Sequence, residues 1–293
     1  MSDWRDRLGV LGVWTHTDGS SVADAVAAVQ LVEELGYGAV WLPETMGRDP
    51  FAHIAHLADR ATSLVFATGI ASIHHRHPGA MLQAASTVAE QTAGRFVLGL
   101  GVSHAPMVAG VRGLSYDKPL STMRSYLEAM DASPYMAPAP ATRAPRLLAA
   151  LGPKMLELSA SHADGAHPYW TTPEHTATAR SIIGPDKLLC VEQKVVLSED
   201  AEVARATAAG AVAAYRGLPN YRNSWLRLGY TDEEIDGDAP RFLDGVVAWG
   251  SADAIRDRVR EHHDAGADHV CIQPLTPGKP FSLDEAALRA LAP

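Results

Sequence analysis

The sequence predicts an α/β protein folded as a (β/α)8 barrel, with residues 1–293 in one domain. Three observations predict it. Short apolar runs alternate with amphipathic stretches along the whole chain, the pattern of repeated βα units. Eight such runs fall within 293 residues, which suits a barrel of about 250 residues plus insertions. No Gly-x-Gly-x-x-Gly follows the first run, which counts against a doubly wound dinucleotide-binding sheet.

Residues 8–14 form the first strand, and the helix after it covers 21–35, with Ser21 as N-cap and Gly36 as its stop. The second strand, 39–42, ends in Pro43-Glu44-Thr45. Asp49-Pro50 then starts a helix, since proline suits the first helical position. Residues 64–70 make the third strand, and His77-Pro78 opens a helix to Thr92. The fourth strand is 96–101. The fifth is 146–150, with helix 154–162 behind it. A short sixth strand, 165–167, precedes a helix after Thr172-Pro173. The seventh is 188–197, followed by an Ala-rich helix over 200–215. Helix 252–265 leads into the eighth strand, 269–275. Residues 218–249 fit no single βα unit and read as a helical insertion between the seventh and eighth strands. Segment 132–145, rich in Pro and Ala, reads as a lid-like loop.

Composition narrows the partners. With 34 acidic against 25 basic residues the chain carries −9, which argues against a nucleic-acid groove. Cys190 and Cys271 lie in apolar runs and read as buried thiols of a reducing compartment. The first residues lack the apolar core of a secretory signal, and no stretch reaches the roughly 20 apolar residues of a membrane span. A cytoplasmic protein acting on a small molecule, without membrane partners, is the expectation.

In a barrel, function is sought at the carboxyl ends of the strands. That rim collects Trp14-Thr15-His16, Glu44, Ser72, Ser103-His104, Leu151-Gly152, His167-Pro168-Tyr169, Glu192-Gln193 and Gln273. Arg95-Phe96-Val97-Leu98-Gly99-Leu100-Gly101-Val102-Ser103-His104 carries the densest signal: a buried strand running into a small-residue turn. Gly99 and Gly101 read as places where a ligand nears the backbone. Ser103 reads as a hydrogen-bond donor to an anionic ligand, and His104 as a proton exchanger near neutral pH. No metal is expected. His74 and His75 point apart in an extended chain, Arg76 repels a cation, and no Glu completes His53 and His56. A nucleophile elbow is absent too.

The chain resembles the luciferase-like monooxygenase superfamily, in its coenzyme F420-dependent oxidoreductase branch. The resemblance rests on Gly36-Tyr37-Gly38-Ala39-Val40-Trp41-Leu42-Pro43-Glu44, on Ala67-Thr68-Gly69-Ile70-Ala71-Ser72, on the 95–104 run, and on Ala248-Trp249-Gly250-Ser251 with Ala265-Gly266-Ala267-Asp268-His269-Val270. It implies a bacterial-luciferase-like barrel, a homodimer, and hydride transfer between C5 of the deazaflavin and a small organic substrate. The alternatives are an FMN-dependent monooxygenase and a cofactor-binding barrel without turnover. It further implies a non-prolyl cis peptide at Ala71-Ser72 that supports the ring from behind, Ser72 and Ser103 bound to polar groups of the cofactor, and Glu44 beside the ring as a catalytic candidate that holds or tunes it. Val102, Ser103, Ala150, Leu151 and Gly152 match positions that receive the cofactor's phosphate and side chain. Gln193 and Tyr169 would orient ring or substrate, and 132–145 with 218–249 would close over it. Some relatives carry His where this chain has Thr45, and Glu where it has His104, so His104 becomes the candidate acid/base.

Overall fold

The structure, a computed structural model, describes residues 2–279 and 282–293. It opens on helix α1 (Ser2–Leu8) and strand β1 (Leu11–Trp14), then α2 (Val22–Glu34), β2 (Ala39–Leu42), α3 (Pro50–Ala58) and β3 (Val65–Thr68). Next come β4 (Ala71–Ser72), α4 (Pro78–Gln91), β5 (Phe96–Gly101), a π-helical turn (Pro106–Val111) and α5 (Pro119–Asp131). The chain continues through β6 (Arg146–Leu148), α6 (Pro153–His162), β7 (Gly165–Ala166), α7 (Pro173–Ile183) and β8 (Leu188–Leu197). After α8 (Ala201–Val212), α9 (Pro219–Arg227), α10 (Asp232–Asp236) and α11 (Pro240–Val246) follow β9 (Val247–Gly250), α12 (Ala252–Asp264), β10 (His269–Pro274) and α13 (Glu285–Leu291).

Strands β1, β2, β3, β5, β6, β7, β8 and β10 pair in parallel in that order, and β10 pairs back to β1. The ring is a closed (β/α)8 barrel. Helix starts fall where the capping residues put them: Ser21, Asp49, Thr172, Asp200 and Ser251 each accept a first-turn N–H. Side chains alternate along each strand. Trp14, Ala39, Trp41, Val65, Ala67, Val97, Leu147, Leu188, Cys190 and Cys271 fill the interior, while Val13, Val40, Leu42 and Phe66 pack under the helices.

Three expectations change. The first strand starts at Leu11, not at residue 8, because Leu8 ends a helix over 2–8: Trp4 and Leu8, one turn apart, join the interior cluster and close the amino-terminal end of the barrel. The excursion before the last strand is longer than 218–249. Helix α12, packed on α7, β8 and β10, takes the seventh barrel-helix position, so α8 to α11 and β9 together form the excursion. Its β9 extends the sheet beside β8, with Lys194 opposite Val247. Finally, segment 132–145 cannot cover the rim, because it joins α5 to β6 at the opposite end. There Arg143 pairs with Asp164 ahead of β7, and Thr142 packs on Gly94 ahead of β5. Among the described residues no helix is long and apolar enough to cross a membrane, and none of the His, Cys, Asp and Glu side chains group to hold a metal.

Candidate active site at the carboxyl-end rim

The floor of the rim is polar yet dry. His167, 1 % exposed, stacks on Trp41 at 4.3 Å and donates from Nδ1 to the Cys190 carbonyl at 2.9 Å. Trp41 donates to Nε2 of His269 at 3.1 Å, and Nδ1 of His269 donates to the Gly9 carbonyl at 2.8 Å. Burial pushes both imidazoles down to about 4, so they are neutral at pH 7.

The third barrel strand breaks at the rim. β3 pairs β2 and β5, and β4 resumes against β5 with Ala71 opposite Leu100. The cis peptide between them is Gly69–Ile70, not Ala71-Ser72. Trp14 Nε1 donates to the Gly69 carbonyl at 2.9 Å, and the Glu44 N–H donates to the Ile70 carbonyl at 3.1 Å. The two glycines of β5 serve this break rather than a ligand. A Cβ on Gly99 would lie 2.0 Å from the Thr68 carbonyl oxygen, and one on Gly101 would lie 2.5 Å from Ile70 Cδ1.

Glu44 is committed on both oxygens. It accepts from the Ser72 N–H at 2.8 Å, from Arg76 at 2.5 Å and from His75 Nδ1 at 3.0 Å, and Arg76 also reaches Asp49. The carboxylate thereby fixes the 70–76 segment. Ala71 is buried in the core, and the buried Ser72 hydroxyl accepts from the His74 N–H at 3.3 Å.

Past β5 the chain turns sharply. Ser103 sits at φ +55°, and its carbonyl accepts from the Tyr116 hydroxyl at 3.0 Å. Val102 packs against the core while His104 is half-buried. Burial lowers the His104 pKa, and a hydrogen bond with Asn220 of α9 opposes that. The Tyr221 ring lies 5.4 Å away. On the next loop Ala150 is buried, and the Leu151 carbonyl accepts from His175 Nε2 at 2.9 Å and from Arg227 at 3.5 Å. Gly152 precedes α6 with no side-chain cap, and a Cβ there would lie 3.6 Å from an Arg227 nitrogen. Among the described residues Arg227 meets no carboxylate. An uncapped helix start beside a guanidinium with no carboxylate to balance it suits an anion. The donor set therefore fits a phosphate-bearing cofactor.

β8 corrects one site expectation. Gln193 faces the helix layer, not the rim: its amide donates to the Lys194 and Val246 carbonyls and accepts from His262 at 2.9 Å. Strand alternation puts Glu192 and Lys194 inward instead. Lys194 Nζ, its side chain 2 % exposed, donates to Glu192 at 3.0 Å and lies 3.6 Å from the Tyr169 ring and 3.8 Å from Trp170. Glu192 also accepts from the Trp170 N–H at 3.1 Å. Burial pulls the Lys194 ammonium down to about 8 and pushes the Glu192 carboxyl up, against their mutual attraction. The Tyr169 hydroxyl donates to Gln273 at 3.0 Å. Rings of Tyr169, Tyr215 and Tyr221 then lead across to His104. Beside Lys194 opens a cavity of about 350 Å³, between Trp14 and His16 on one side and α8 on the other.

The structure thus gathers His104, Leu151 and Gly152 under α9, with Val102 and Ser103 on the turn that leads to His104, and sets Glu44 with Ser72 behind the strand break. Sequence reasoning missed Arg227, Asn220, Tyr221 and Lys194. Only Lys194 left a signal: two charged residues at i and i+2 within an apolar strand, Glu192 and Lys194, must share one face.

The luciferase-like monooxygenase family profile matches residues 8–269. A Mycobacterium tuberculosis protein, provisionally assigned as a coenzyme F420-dependent oxidoreductase, is 24% identical over 91% of this chain and 94% of its own. The structure of an F420-dependent secondary alcohol dehydrogenase with an F420–acetone adduct superposes with a TM-score of 0.76, covering 97% of each chain at 14% identity. The oxygenating part of 3,6-diketocamphane monooxygenase from Pseudomonas putida, with FMN, gives 0.68 over 97% of this chain and 96% of that one, also at 14% identity. At such identities the two structures speak for the fold alone.

Proposed function

The chain belongs to the luciferase-like monooxygenase family, and from that premise we propose that it is a coenzyme F420-dependent oxidoreductase moving hydride between the deazaflavin and a small organic substrate. The observation that carries this reading is the anion corner of Gly152, the α6 start and Arg227, set beside the His104 loop. The full-length likeness to the mycobacterial protein favours F420 over other phosphate-bearing cofactors. When bound, the deazaflavin supplies the hydride carrier.

The chain's own residues do the rest. Arg227 and the first N–H groups of α6 hold the phosphate, and the backbone at Val102 and Ser103 lines its approach. Glu44 is a positioning residue that keeps the strand break, and with it Ser72, in place. The Trp41–His167–His269 stack keeps water out from below. His104, neutral at pH 7 because burial lowers its pKa, would exchange the substrate alcohol's proton at one remove, through the Tyr169 and Tyr215 hydroxyls, 3.2 Å apart, and Tyr221, which lie between it and Lys194.

FMN is the second reading, because the same phosphate corner suits it and the FMN-bound monooxygenase shares the fold. Parallel titrations with F420 and FMN decide between them. Quenching of deazaflavin fluorescence at micromolar protein, with weaker FMN binding, is the expected result; the reverse order overturns the F420 assignment. With F420 bound, bleaching of its visible absorbance by a panel of alcohols tests hydride transfer. His104→Ala should lower turnover by about 10²-fold or more while leaving cofactor affinity alone.

A further inference from the structure

We propose that the cavity beside Lys194 is the substrate pocket, and that it takes a small neutral ketone or its alcohol with the oxygen against the Lys194 ammonium. The proposal rests on the oxidoreductase reading above and names the substrate class for that site.

Four observations carry it. The cavity, about 350 Å³, lies at the small end of the range of about 300–1,000 Å³ for ligand pockets. Ala206, Gly210, Ala211 and Ala214 wall it from α8, with Pro274 and Leu275 facing them. These side chains leave room for an apolar body and offer it no charge. Thr15, Lys194 and Gln273 are buried polar groups of the lining and Lys194 is the charged one among them, while Lys279 reaches the cavity from an exposed position where solvent screens its charge. Of the three N–H donors of Lys194, Glu192 takes one. The faces of Tyr169 and Trp170 cover it on two other sides.

The sign of the ligand follows from the pair. Glu192 and Lys194 already neutralise one another in a site 0–2 % exposed. A carboxylate ligand would bring a second negative charge against one buried cation, and part of its attraction to Lys194 would be cancelled by Glu192. A carbonyl or hydroxyl oxygen needs only the hydrogen bond. A charged donor also makes the stronger kind of bond to such an oxygen. When the carbonyl carbon accepts hydride, negative charge builds on that oxygen, and a fixed ammonium in a dry pocket stabilises it there.

The test uses cyclohexanone, cyclohexanol and cyclohexanecarboxylate as probes on the full chain without cofactor, read by tryptophan fluorescence, since Trp14 and Trp170 border the site. The ketone and alcohol should bind, and the carboxylate should bind no tighter than either. Gly210→Phe fills the cavity from α8, where an added Cβ meets nothing within 4 Å, and should weaken ketone binding by about tenfold or more. Lys194→Met with Glu192→Gln removes both charges together, avoiding a lone buried carboxylate, and should weaken it about tenfold. Ketone binding unchanged in both variants overturns the proposal. So does a carboxylate that binds tenfold tighter than the ketone. F420 titrated against the same proteins keeps the two claims apart. Failure of F420 to bind the unaltered chain defeats the oxidoreductase reading, while ketone binding that still responds to Gly210→Phe upholds the pocket. Loss of F420 binding in Gly210→Phe to the same extent as the ketone shows that the cavity holds the cofactor, and overturns the substrate assignment.

Discussion

Acid should undo this barrel well before its carboxylates matter, because buried histidines are held neutral, three of them almost wholly out of solvent. His167 and His269 lie inside the barrel and His262 lies between α12 and β8, all 0–1 % exposed. Burial holds the first two at about 4 and His262 at about 3, against 6.5 in the unfolded chain. Each folded pKa is depressed, so the stability they contribute is fully present above pH 6.5 and is lost as pH falls toward the folded values. Between pH 7 and 5.5 the unfolded chain takes up about two-thirds of a proton per histidine while the folded chain takes up almost none. Linkage makes that about 1.2 kcal/mol each, or about 3.7 kcal/mol for the three. Glu192 works the other way, since its raised carboxyl pKa lets the folded state gain a proton first. One such group can return at most about 1.4 kcal/mol per pH unit, or about 2.1 kcal/mol here, which leaves a net loss of about 1.6 kcal/mol or more over this interval.

Urea unfolding followed by tryptophan fluorescence at pH 7.0, 6.25 and 5.5 measures this directly. The midpoint should fall at each step with the slope m unchanged, which separates lost stability from a change in what unfolds. His269→Asn removes one titrating group and should flatten the pH dependence by about 1.2 kcal/mol over the same interval, whatever it does to stability at pH 7. A total change below 1 kcal/mol between pH 7 and 5.5 would refute the reasoning. It would mean that water or a partner reaches these rings in solution.

Arg227→Ala should weaken F420 or FMN by about tenfold or more in a fluorescence titration, from the loss of a charge-assisted bond to phosphate, and should shift stability by less than about 0.5 kcal/mol because the side chain is exposed. Glu44→Gln keeps an acceptor for the Ser72 N–H but strips the charge facing Arg76 and His75; urea unfolding should show a loss of about 2 kcal/mol. Gly99→Ala should cost about 3 kcal/mol or more in the same assay, because its Cβ would press at 2.0 Å on a backbone oxygen. A loss under 0.5 kcal/mol there would mean that the β3–β5 spacing is looser than described.

The barrel was legible because its signals are local and repeated. Caps at Ser21, Asp49 and Thr172, and prolines at 50, 78 and 173, mark helix starts whatever the tertiary context. Signals that depend on where an element ends up were not legible. Helix α1 is seven residues long and too short for periodicity to speak, and only its fit into the barrel's amino-terminal end gives Trp4 and Leu8 a purpose. The 132–145 loop has the composition of a lid, yet composition carries no information about which end of the barrel it occupies. Gly99 and Gly101 show the same gap: two glycines at a strand end announce a close approach without saying what approaches.

The site residues divide along one physical line, strand parity. Read outward from the buried run of β8, Glu192, Gln193 and Lys194 are three polar residues in a row, and at most two of them can face the barrel axis. Gln193 lies on the helix face, where it bonds His262 and the Val246 carbonyl instead of a ligand at the rim. The deciding fact lies elsewhere on the strand: Leu188 and Cys190 sit with the interior cluster while Leu189 and Val191 sit with the helix layer. Inward alternation therefore continues to 192 and 194. That places an ion pair at the rim and obliges the chain to shelter it, with the Tyr169 and Trp170 rings and the Trp170 N–H. A lysine kept in such a setting costs stability relative to an apolar residue of the same size. The expense makes sense if the ammonium has an oxygen to meet, and its cage opens on the cavity along α8.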